Sequence, residues 1–201
     1  MLRIGITGGI GSGKSTVCGM FEKAGIPVFS ADESAHQVSN SDAKARQLII
    51  KLLGNAAYTS HGELDRAYVA AIVFSHPDKL KSLNRIIHPR VLQAVEEFGQ
   101  SVKEVPFWIV EAALLYESGL DKKLDYVIGV AAAEEERIRR VMKRDGVSTD
   151  VVRRRMEQQM PEETLRTKAD FILMNDGDPD QLRDHIKFFL QLFSKIPSKM
   201  A

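Results

Sequence analysis

Short apolar runs alternate with longer amphipathic stretches along most of this 201-residue chain. The runs predict five strands, at residues 2–6, 27–29, 106–111, 126–130 and 171–174. Helical patterns separate these runs, and the alternation is typical of a parallel sheet that is covered by helices on both faces. The pattern therefore predicts an α/β fold with a parallel five-stranded sheet.

Residues 34–105, between the second and third predicted strands, have a helical pattern throughout. Asp65 and Asp78 can each cap a helix, and the second of these helices is expected over residues 79–87. Pro89 is then expected to open a separate helix through Val102, since proline is favoured at the first helical position. We interpret this segment as a helical insertion into the sheet domain.

The last third of the chain has a second helical insertion and a C-terminal helix. The insertion covers residues 134–160, after the fourth predicted strand. Asp178 and Pro179 are typical of an N-cap and a first helical position, so they predict a final helix over residues 180–194. Residues 197–201 are expected to be frayed.

The segment between the first strand and the first helix matches G-x-x-x-x-G-K-[ST], the phosphate-binding loop. Its residues are Gly8, Gly9, Ile10, Gly11, Ser12, Gly13, Lys14, Ser15 and Thr16. Glycines let backbone N–H groups turn toward phosphate oxygens, and the following helix adds the positive end of its dipole. Lys14 can reach the outer phosphates, and the Ser15 hydroxyl can bind Mg²⁺. A plain glycine-rich turn is the alternative, but the strand–loop–helix context favours binding of a nucleoside triphosphate.

Two carboxylates follow predicted strands and are therefore expected at the edge of the sheet where ligands bind. Asp32 follows the second strand and can accept the proton of an attacking hydroxyl, although it can equally cap the next helix. Glu111 ends the third strand, where it can hold Mg²⁺ through water or be a surface charge. Sequence position alone leaves both alternatives open.

Basic residues crowd one region: eight of the 28 lie within the nineteen positions from Arg137 to Arg155, opposed there only by Asp145 and Asp150. Arg137, Arg140 and Arg144 have the spacing of one helix face. Such a face can be simply solvated, or it can bind nucleic acid, but no aromatic residues interleave it. We favour a lid that brings arginines to the transferring phosphates.

Composition narrows the alternatives. The apolar and charged fractions, 44% and 27%, are ordinary for a globular protein, and the net charge of +1 gives no information about a partner. Cys18 is the one cysteine, which fits a reducing cytoplasm, and we interpret it as core filler. Neither a signal peptide nor a membrane helix is expected. The five histidines lack the spacing of a zinc site.

Several segments, in order along the whole chain, resemble the dephospho-coenzyme A kinases. They are residues 6–16, Ala31-Asp32, Asp65-Arg66, Val73-Phe74, Leu83-Asn84-Arg85-Ile86-Ile87-His88-Pro89, residues 114–120, Arg140 with Arg144-Asp145, Arg155 with Gln159-Met160, and Ala169-Asp170 with Asn175. The phosphate loop alone is shared by many families, but its combination with the later Ile-His-Pro is far more selective.

The resemblance implies transfer of the γ-phosphoryl group of ATP, with Mg²⁺, to the ribose 3′-hydroxyl of dephospho-coenzyme A, the final step of coenzyme A biosynthesis. It implies a P-loop core like that of nucleoside-monophosphate kinases over residues 1–33, 106–136 and 161–201. Residues 34–105 would be the helical acceptor domain, and 137–160 the lid. A small-molecule substrate is expected, with no nucleic acid or membrane partner, in a cytoplasmic monomer or weak homo-oligomer.

The resemblance also assigns residues to roles. The catalytic residues it implies are Asp32 as base, Lys14 as phosphate clamp and Arg140 as the lid arginine that faces ATP. The nucleotide-binding residues it implies are Gly9, Gly11, Ser12, Gly13, Lys14, Ser15, Thr16 and Arg140, with Ser15 at the metal. The acceptor-binding residues it implies are Asp32, His88, Leu114 and Glu117.

Three positions depart from the family pattern. Ser30 stands where the family often has the first carboxylate of Asp-x-Asp, which leaves Asp32 as the sole candidate base. Ala113 replaces a usual proline, so that loop is expected to be less rigid. Arg137 replaces a common glutamine and adds charge to the predicted lid.

Three rival functions remain at this point. A kinase for a nucleoside or a shikimate-like hydroxyl would share the core, and only the family likeness of residues 83–89 and of the insertion argues against it. A guanine-specific switch would have Asn-Lys-x-Asp after a late strand, where this chain has Met174-Asn175-Asp176-Gly177. A nucleic-acid module would bind with steep salt dependence.

Overall fold

A computed structural model describes residues 1–199 of the chain, apart from the side chain of Phe74. The chain divides into two compact units. The first, which we call the sheet unit, comprises residues 1–29 together with the chain from residue 102 onward. The second, the helical unit, is Ser30–Ser101.

Five strands form one sheet, in which β1 pairs in parallel with β3 and β4, and β4 pairs in parallel with β5, which confirms the predicted fold class. The strands are β1 (Leu2–Thr7), β2 (Val28–Ser30), β3 (Phe107–Glu111), β4 (Tyr126–Ala131) and β5 (Phe171–Met174). Their order is β2-β3-β1-β4-β5. The central position of β1 places the loop that follows it between the ends of β3 and β4.

Nine α-helices lie within residues 1–199. They are α1 (Lys14–Lys23), α2 (Ala31–Ser41), α3 (Ala43–Leu53), α4 (Arg66–Ser75), α5 (Pro77–Ser101), α6 (Glu134–Asp145), α7 (Thr149–Glu157), α8 (Glu162–Lys168) and α9 (Pro179–Phe193). Within the described residues, no helix has the length and apolar character needed to cross a membrane.

The core of the sheet unit explains why its strands are nearly continuous apolar runs. Ile4 and Ile6 of β1 are fully buried, because helices cover the sheet. Phe107 of β3 makes edge contacts with Phe21 of α1 and Phe193 of α9, at ring-centroid distances of 6.1 and 5.3 Å. These contacts fix α1 against the sheet and therefore fix the start of α1, where the candidate loop ends.

One prediction for the helical unit is wrong: the helix boundary expected at Pro89 does not exist. Pro89 lies inside α5, a single helix of 25 residues. Proline lacks the N–H that an interior helical residue donates, so local propensity favours a break. Leu83, Val91 and Val95 are nevertheless buried on both sides of Pro89. Their spacing of eight and four residues keeps one face turned inward, and this packing overrides the local preference.

The expectation of a frayed C-terminal tail is also wrong for residues 197–199, while residues 200 and 201 lie outside the described part. Asp125, just before β4, is 2% exposed and accepts hydrogen bonds from the Arg3 N–H at 2.8 Å, the Ser198 hydroxyl at 2.5 Å and the Lys199 N–H at 2.8 Å. The Lys199 ammonium lies 4.0 Å from the centre of the Tyr126 ring. Asp125 thus ties the tail to the sheet.

Asp125→Ala is expected to lower the free energy of unfolding by about 2–3 kcal/mol, because it removes a buried acceptor that three partly buried donors share. Ser198→Ala removes one of these bonds and should cost about 1 kcal/mol. Urea denaturation measures both. A change below about 0.5 kcal/mol for Asp125→Ala would mean that water replaces the carboxylate and that the tail is not held.

Candidate active site

The loop of residues 8–16, the phosphate loop, connects β1 to α1 in a shape that requires glycine. Gly11 and Gly13 have φ of 77° and 91°, in the left-handed region that other residues rarely adopt. A Cβ atom at Gly8 would overlap the Val130 carbonyl oxygen, and one at Gly13 would overlap the Asn175 amide. The backbone is therefore closely surrounded on the sheet side, as a loop that turns its N–H groups toward a ligand requires.

Lys14 begins α1, and its ammonium donates to the Gly8 carbonyl at 2.8 Å. This contact holds the positive charge across the mouth of the phosphate loop. Ser15 and Thr16 follow in the first turn of α1, and both are exposed. No acidic side chain occupies the first turn of α1, so the helix N-terminus keeps its full attraction for an anion.

Arg140, on α6, lies against the phosphate loop, as a lid arginine is expected to. Its guanidinium donates to the Gly11 and Ser12 carbonyls, at 3.3 Å each, and to the Asn175 carbonyl at 2.8 Å. Its Nε donates to Glu136 at 2.8 Å. The hydrogen bond from Arg139, together with that from Arg140, lowers the pKa of the Glu136 carboxyl to about 2. Glu136 is therefore charged at neutral pH and orients the Arg140 fork.

The three arginines of the predicted face all lie on one helix, α6, but they have different partners. Arg137 is 9% exposed and lies against the phosphate loop, but Arg144 bonds the neighbouring Asp145 at 2.7 Å instead. The basic stretch is also better neutralised than its own sequence indicates. Acidic residues from outside it form ion pairs with its arginines, namely Glu134 with Arg153, Glu136 with Arg139 and Arg140, and Glu162 with Arg137.

A cleft of about 510 Å³ opens beside the phosphate loop, within the sheet unit. Thr16 and Met20 of α1 line one part of it, and Arg140, Asn175 and Pro179 line another. A lining that mixes apolar, polar and basic side chains suits a nucleoside. The cleft begins where the phosphate loop ends, so one ligand can occupy both.

Asn175 is the residue that sequence reasoning noted only as part of a family motif and did not place in the site. It follows β5, is 7% exposed, and donates from its side-chain amide to the Ser12 carbonyl at 2.8 Å. Its own carbonyl accepts from Arg140. The available signal was its position after a parallel strand, the same signal that marked Asp32 and Glu111.

A smaller recess lies on the other side of the phosphate loop. Thr7, Gly8, Glu117 and Gln159 are among its lining residues, and Glu117 is exposed. Leu114, three residues earlier, is 49% exposed, whereas the next residue is fully buried core. The structure therefore leaves both predicted acceptor-side residues of the sheet unit accessible to a ligand.

Asp32 and His88 belong to the helical unit. Asp32 is exposed in the first turn of α2, and the capping alternative for it is wrong, because the Ser30 hydroxyl accepts the Glu33 N–H at 3.3 Å and is the N-cap. The serine that replaces the family's first carboxylate thus has a structural role. His88 is half-buried in α5, and burial lowers the pKa of its imidazole.

Among residues 1–199, no three His, Cys, Asp or Glu side chains form a group that could hold a metal ion. Glu111 ends β3 beside Ile6 of β1. One residue, Thr7, separates Ile6 from the phosphate loop. Cys18 is buried in α1, and burial with nearby Glu111 raises the pKa of its thiol to about 12. The thiol is therefore neutral, in keeping with its interpretation as core filler.

The sequence is similar to those of known proteins over most of its length. A sequence profile described as dephospho-CoA kinase matches residues 2–181 of the chain. The dephospho-CoA kinase of Salinibacter ruber is 42% identical over 185 residues, which cover 91% of this chain and 93% of that protein.

Solved structures agree with these sequence matches. A crystal structure of a Thermus thermophilus protein is similar with a TM-score of 0.83 and 38% identity, covering 95% of this chain and 97% of that one. The dephospho-CoA kinase from Campylobacter jejuni has a TM-score of 0.68 and 27% identity, covering 96% and 97% of the two chains. The similarity extends over both units rather than over the phosphate loop alone.

Proposed function

The chain belongs to the dephospho-CoA kinase family, whose members phosphorylate dephospho-CoA in the final step of coenzyme A biosynthesis, and we propose that it transfers the γ-phosphoryl group of ATP to the ribose 3′-hydroxyl. The observation that carries this proposal is the family match over residues 2–181, which includes both the phosphate loop and the helical unit.

We place the triphosphate of ATP on the phosphate loop and its nucleoside in the cleft beside it. The glycine-lined backbone and the N-terminus of α1 supply N–H groups for phosphate oxygens. Lys14 exchanges its contact with the Gly8 carbonyl for the outer phosphates. Arg140, held by Glu136, meets the negative charge that develops on the transferring group.

Mg²⁺ is the metal we propose, with Ser15 as its protein ligand. The residues present fit it, because Mg²⁺ in kinases keeps most of its ligands from water and phosphates and needs one hydroxyl, not an acidic cage. Exposed Ser15 in the first turn of α1 supplies that hydroxyl. When bound, the ion neutralises charge on the phosphate oxygens.

Asp32 is the general base of the proposed reaction. Its exposed carboxylate lies in the first turn of α2, where Ser30 and not Asp32 is the N-cap, and we assign to it the positioning of the 3′-hydroxyl and the acceptance of its proton. As the hydroxyl oxygen bonds to the γ-phosphorus, the bond from that phosphorus to the bridging oxygen breaks and ADP leaves. His88, Leu114 and Glu117 are proposed to bind the rest of the acceptor.

An acceptor panel tests the proposed function. ADP formation is measured with ATP and Mg²⁺ in the presence of dephospho-CoA, shikimate, adenosine or no acceptor. Turnover that depends on dephospho-CoA, with a product phosphorylated at the 3′-hydroxyl, supports the proposal. Faster turnover with shikimate or adenosine would make the chain a different small-molecule kinase.

We further propose that the enzyme acts in the cytoplasm as a monomer or weak homo-oligomer and uses neither nucleic acid nor membrane. The single buried cysteine and the neutralised arginine stretch support this view. Binding to DNA or RNA with steep salt dependence would contradict it.

Arg140→Ala is expected to lower kcat by about tenfold or more while changing the KM of dephospho-CoA little, because the guanidinium meets charge that grows in the transition state. Lys143→Ala, an exposed cation on the same helix, is the control and should keep parental kinetics. Steady-state kinetics with both substrates decide the matter. A change confined to the KM of dephospho-CoA would move Arg140 to the acceptor site.

A further inference from the structure

Ile10, at the tip of the phosphate loop, is held on three sides by the chain after residue 136. Its N–H donates to the Gln159 side-chain oxygen at 2.7 Å, and its carbonyl accepts from the Arg137 Nε at 3.0 Å. Its side chain packs against the small cluster of Ile138, Val141 and Val152. Both polar main-chain groups and the side chain of this one residue therefore depend on the predicted lid.

Arg137 is placed for this contact by its surroundings. It is 9% exposed, and its Nη1 lies 3.6 Å from a carboxylate oxygen of Glu162 on α8. Any Cβ atom at Gly9 would overlap its guanidinium, and one at Gly11 would lie 2.5 Å from its carbonyl oxygen. The phosphate loop thus lies directly on Arg137, with no room for another side chain.

We propose that Arg137 and Gln159 are positioning residues that hold the phosphate loop in its anion-binding shape through Ile10. The inference rests on the proposed use of the phosphate loop for ATP but concerns a different step, the organisation of the loop before the nucleotide binds. Residues 11 and 13–15, whose N–H groups are proposed to bind the phosphates, follow soon after Ile10, and the Ser12 N–H between them donates to the Gly9 carbonyl at 3.2 Å. Fixing both polar groups of Ile10 fixes the direction in which the next residues turn.

The buried guanidinium makes this contact a strong one. A hydrogen bond from a charged donor to a buried carbonyl contributes more than a neutral one, and its loss leaves the carbonyl without a donor. Because the partner, Glu162, lies on α8, the contact also links α6, α8 and the phosphate loop. Movement of the predicted lid would therefore change the affinity of the loop for phosphate.

The test measures binding to the full-length protein without acceptor, by calorimetry. The probes are a non-hydrolysable ATP analogue, inorganic triphosphate and adenosine. Arg137→Met is expected to weaken binding of the analogue and of triphosphate by about tenfold or more, with adenosine binding unchanged. Lys195→Gln, at an exposed lysine just after α9 and outside the predicted lid, is the matched loss of charge and should bind as the parent does.

A double variant separates positioning from direct contact with phosphate. If Arg137 and Gln159 act through the same residue, the loss in Arg137→Met/Gln159→Met is smaller than the product of the two single losses. A full product would mean that Arg137 binds phosphate directly, which overturns the proposal. Arg137→Lys retains the charge without the planar fork and decides the question if Arg137→Met does not fold.

The loss of binding affinity in the Arg137 variant decides the outcome of the test. A loss of at least fivefold for the analogue and for triphosphate, with adenosine unaffected, supports the proposal. A smaller loss in a folded Arg137 variant, or an equal loss for adenosine, overturns it. Failure of the parent protein to phosphorylate dephospho-CoA would overturn the proposed function and leave this inference standing, because the binding test contains no acceptor.

Discussion

Lys14→Ala is expected to reduce kcat by a factor of about 100 or more while the protein stays folded. The Lys14 ammonium lies across the mouth of the phosphate loop, 2.8 Å from the Gly8 carbonyl, where we propose that it binds the outer phosphates of the nucleotide. Lys14 is the basic residue of α1 that lies nearest the phosphate loop. It is therefore the residue of this helix that is expected to stabilise negative charge on the transferring group and on the leaving oxygens. The loss is therefore expected in the chemical step as well as in nucleotide affinity.

The measurement is steady-state ADP formation with dephospho-CoA, accompanied by circular dichroism and a thermal melt. Lys195→Ala, an exposed lysine just after α9, is the control for loss of one positive charge and should leave kcat unchanged. The fold should persist, since Lys14 is only partly buried and its ammonium bonds a loop carbonyl rather than the core. Near-parental activity of folded Lys14→Ala would contradict the assignment of the phosphate loop.

Local sequence patterns predicted the structure correctly where a segment's own residues determine its conformation. The apolar runs predicted the strands to within one residue at most ends, because strands that are buried on both faces have nearly continuous apolar sequences. The phosphate loop was predictable because its glycines meet a backbone requirement, visible in the φ of Gly11 and Gly13.

Prediction from the sequence failed where contacts with distant residues determine the structure. Pro89 stays inside α5 because buried side chains on either side hold the helix together. Three residues reach the phosphate loop from 127 or more residues away in sequence, namely Arg137, Gln159 and Asn175. Of these, only Asn175 had a local signal, its position after a parallel strand. Contacts of this kind follow from the arrangement of elements and not from any single one.

Asp32 illustrates how the structure separates two roles that sequence position left equal. Aspartate near the start of a helix is a common cap, and a carboxylate after a parallel strand is a common catalytic group. The hydroxyl of Ser30 takes the capping role in α2. The proposal for Asp32 then makes a prediction that a cap would not share.

Asp32→Asn is expected to lower kcat by roughly 100-fold or more, because the amide keeps the shape of the side chain but cannot accept the proton of the 3′-hydroxyl. The melting temperature should stay close to that of the parent, since Ser30 still caps α2. A loose transition state leaves little charge on the attacking oxygen, so part of the loss comes from poorer positioning.

Glu33→Gln is the matched control for Asp32→Asn. It removes the same charge from the same first turn of α2, where Glu33 is exposed and donates its backbone N–H to Ser30. Any effect of charge on the helix dipole appears in both variants, whereas loss of the base appears only in Asp32→Asn. If Asp32→Asn retains more than about a third of parental kcat, far above the scale for a lost base, no base remains in this segment, because Ser30 already occupies the other candidate position and is bound to the helix backbone.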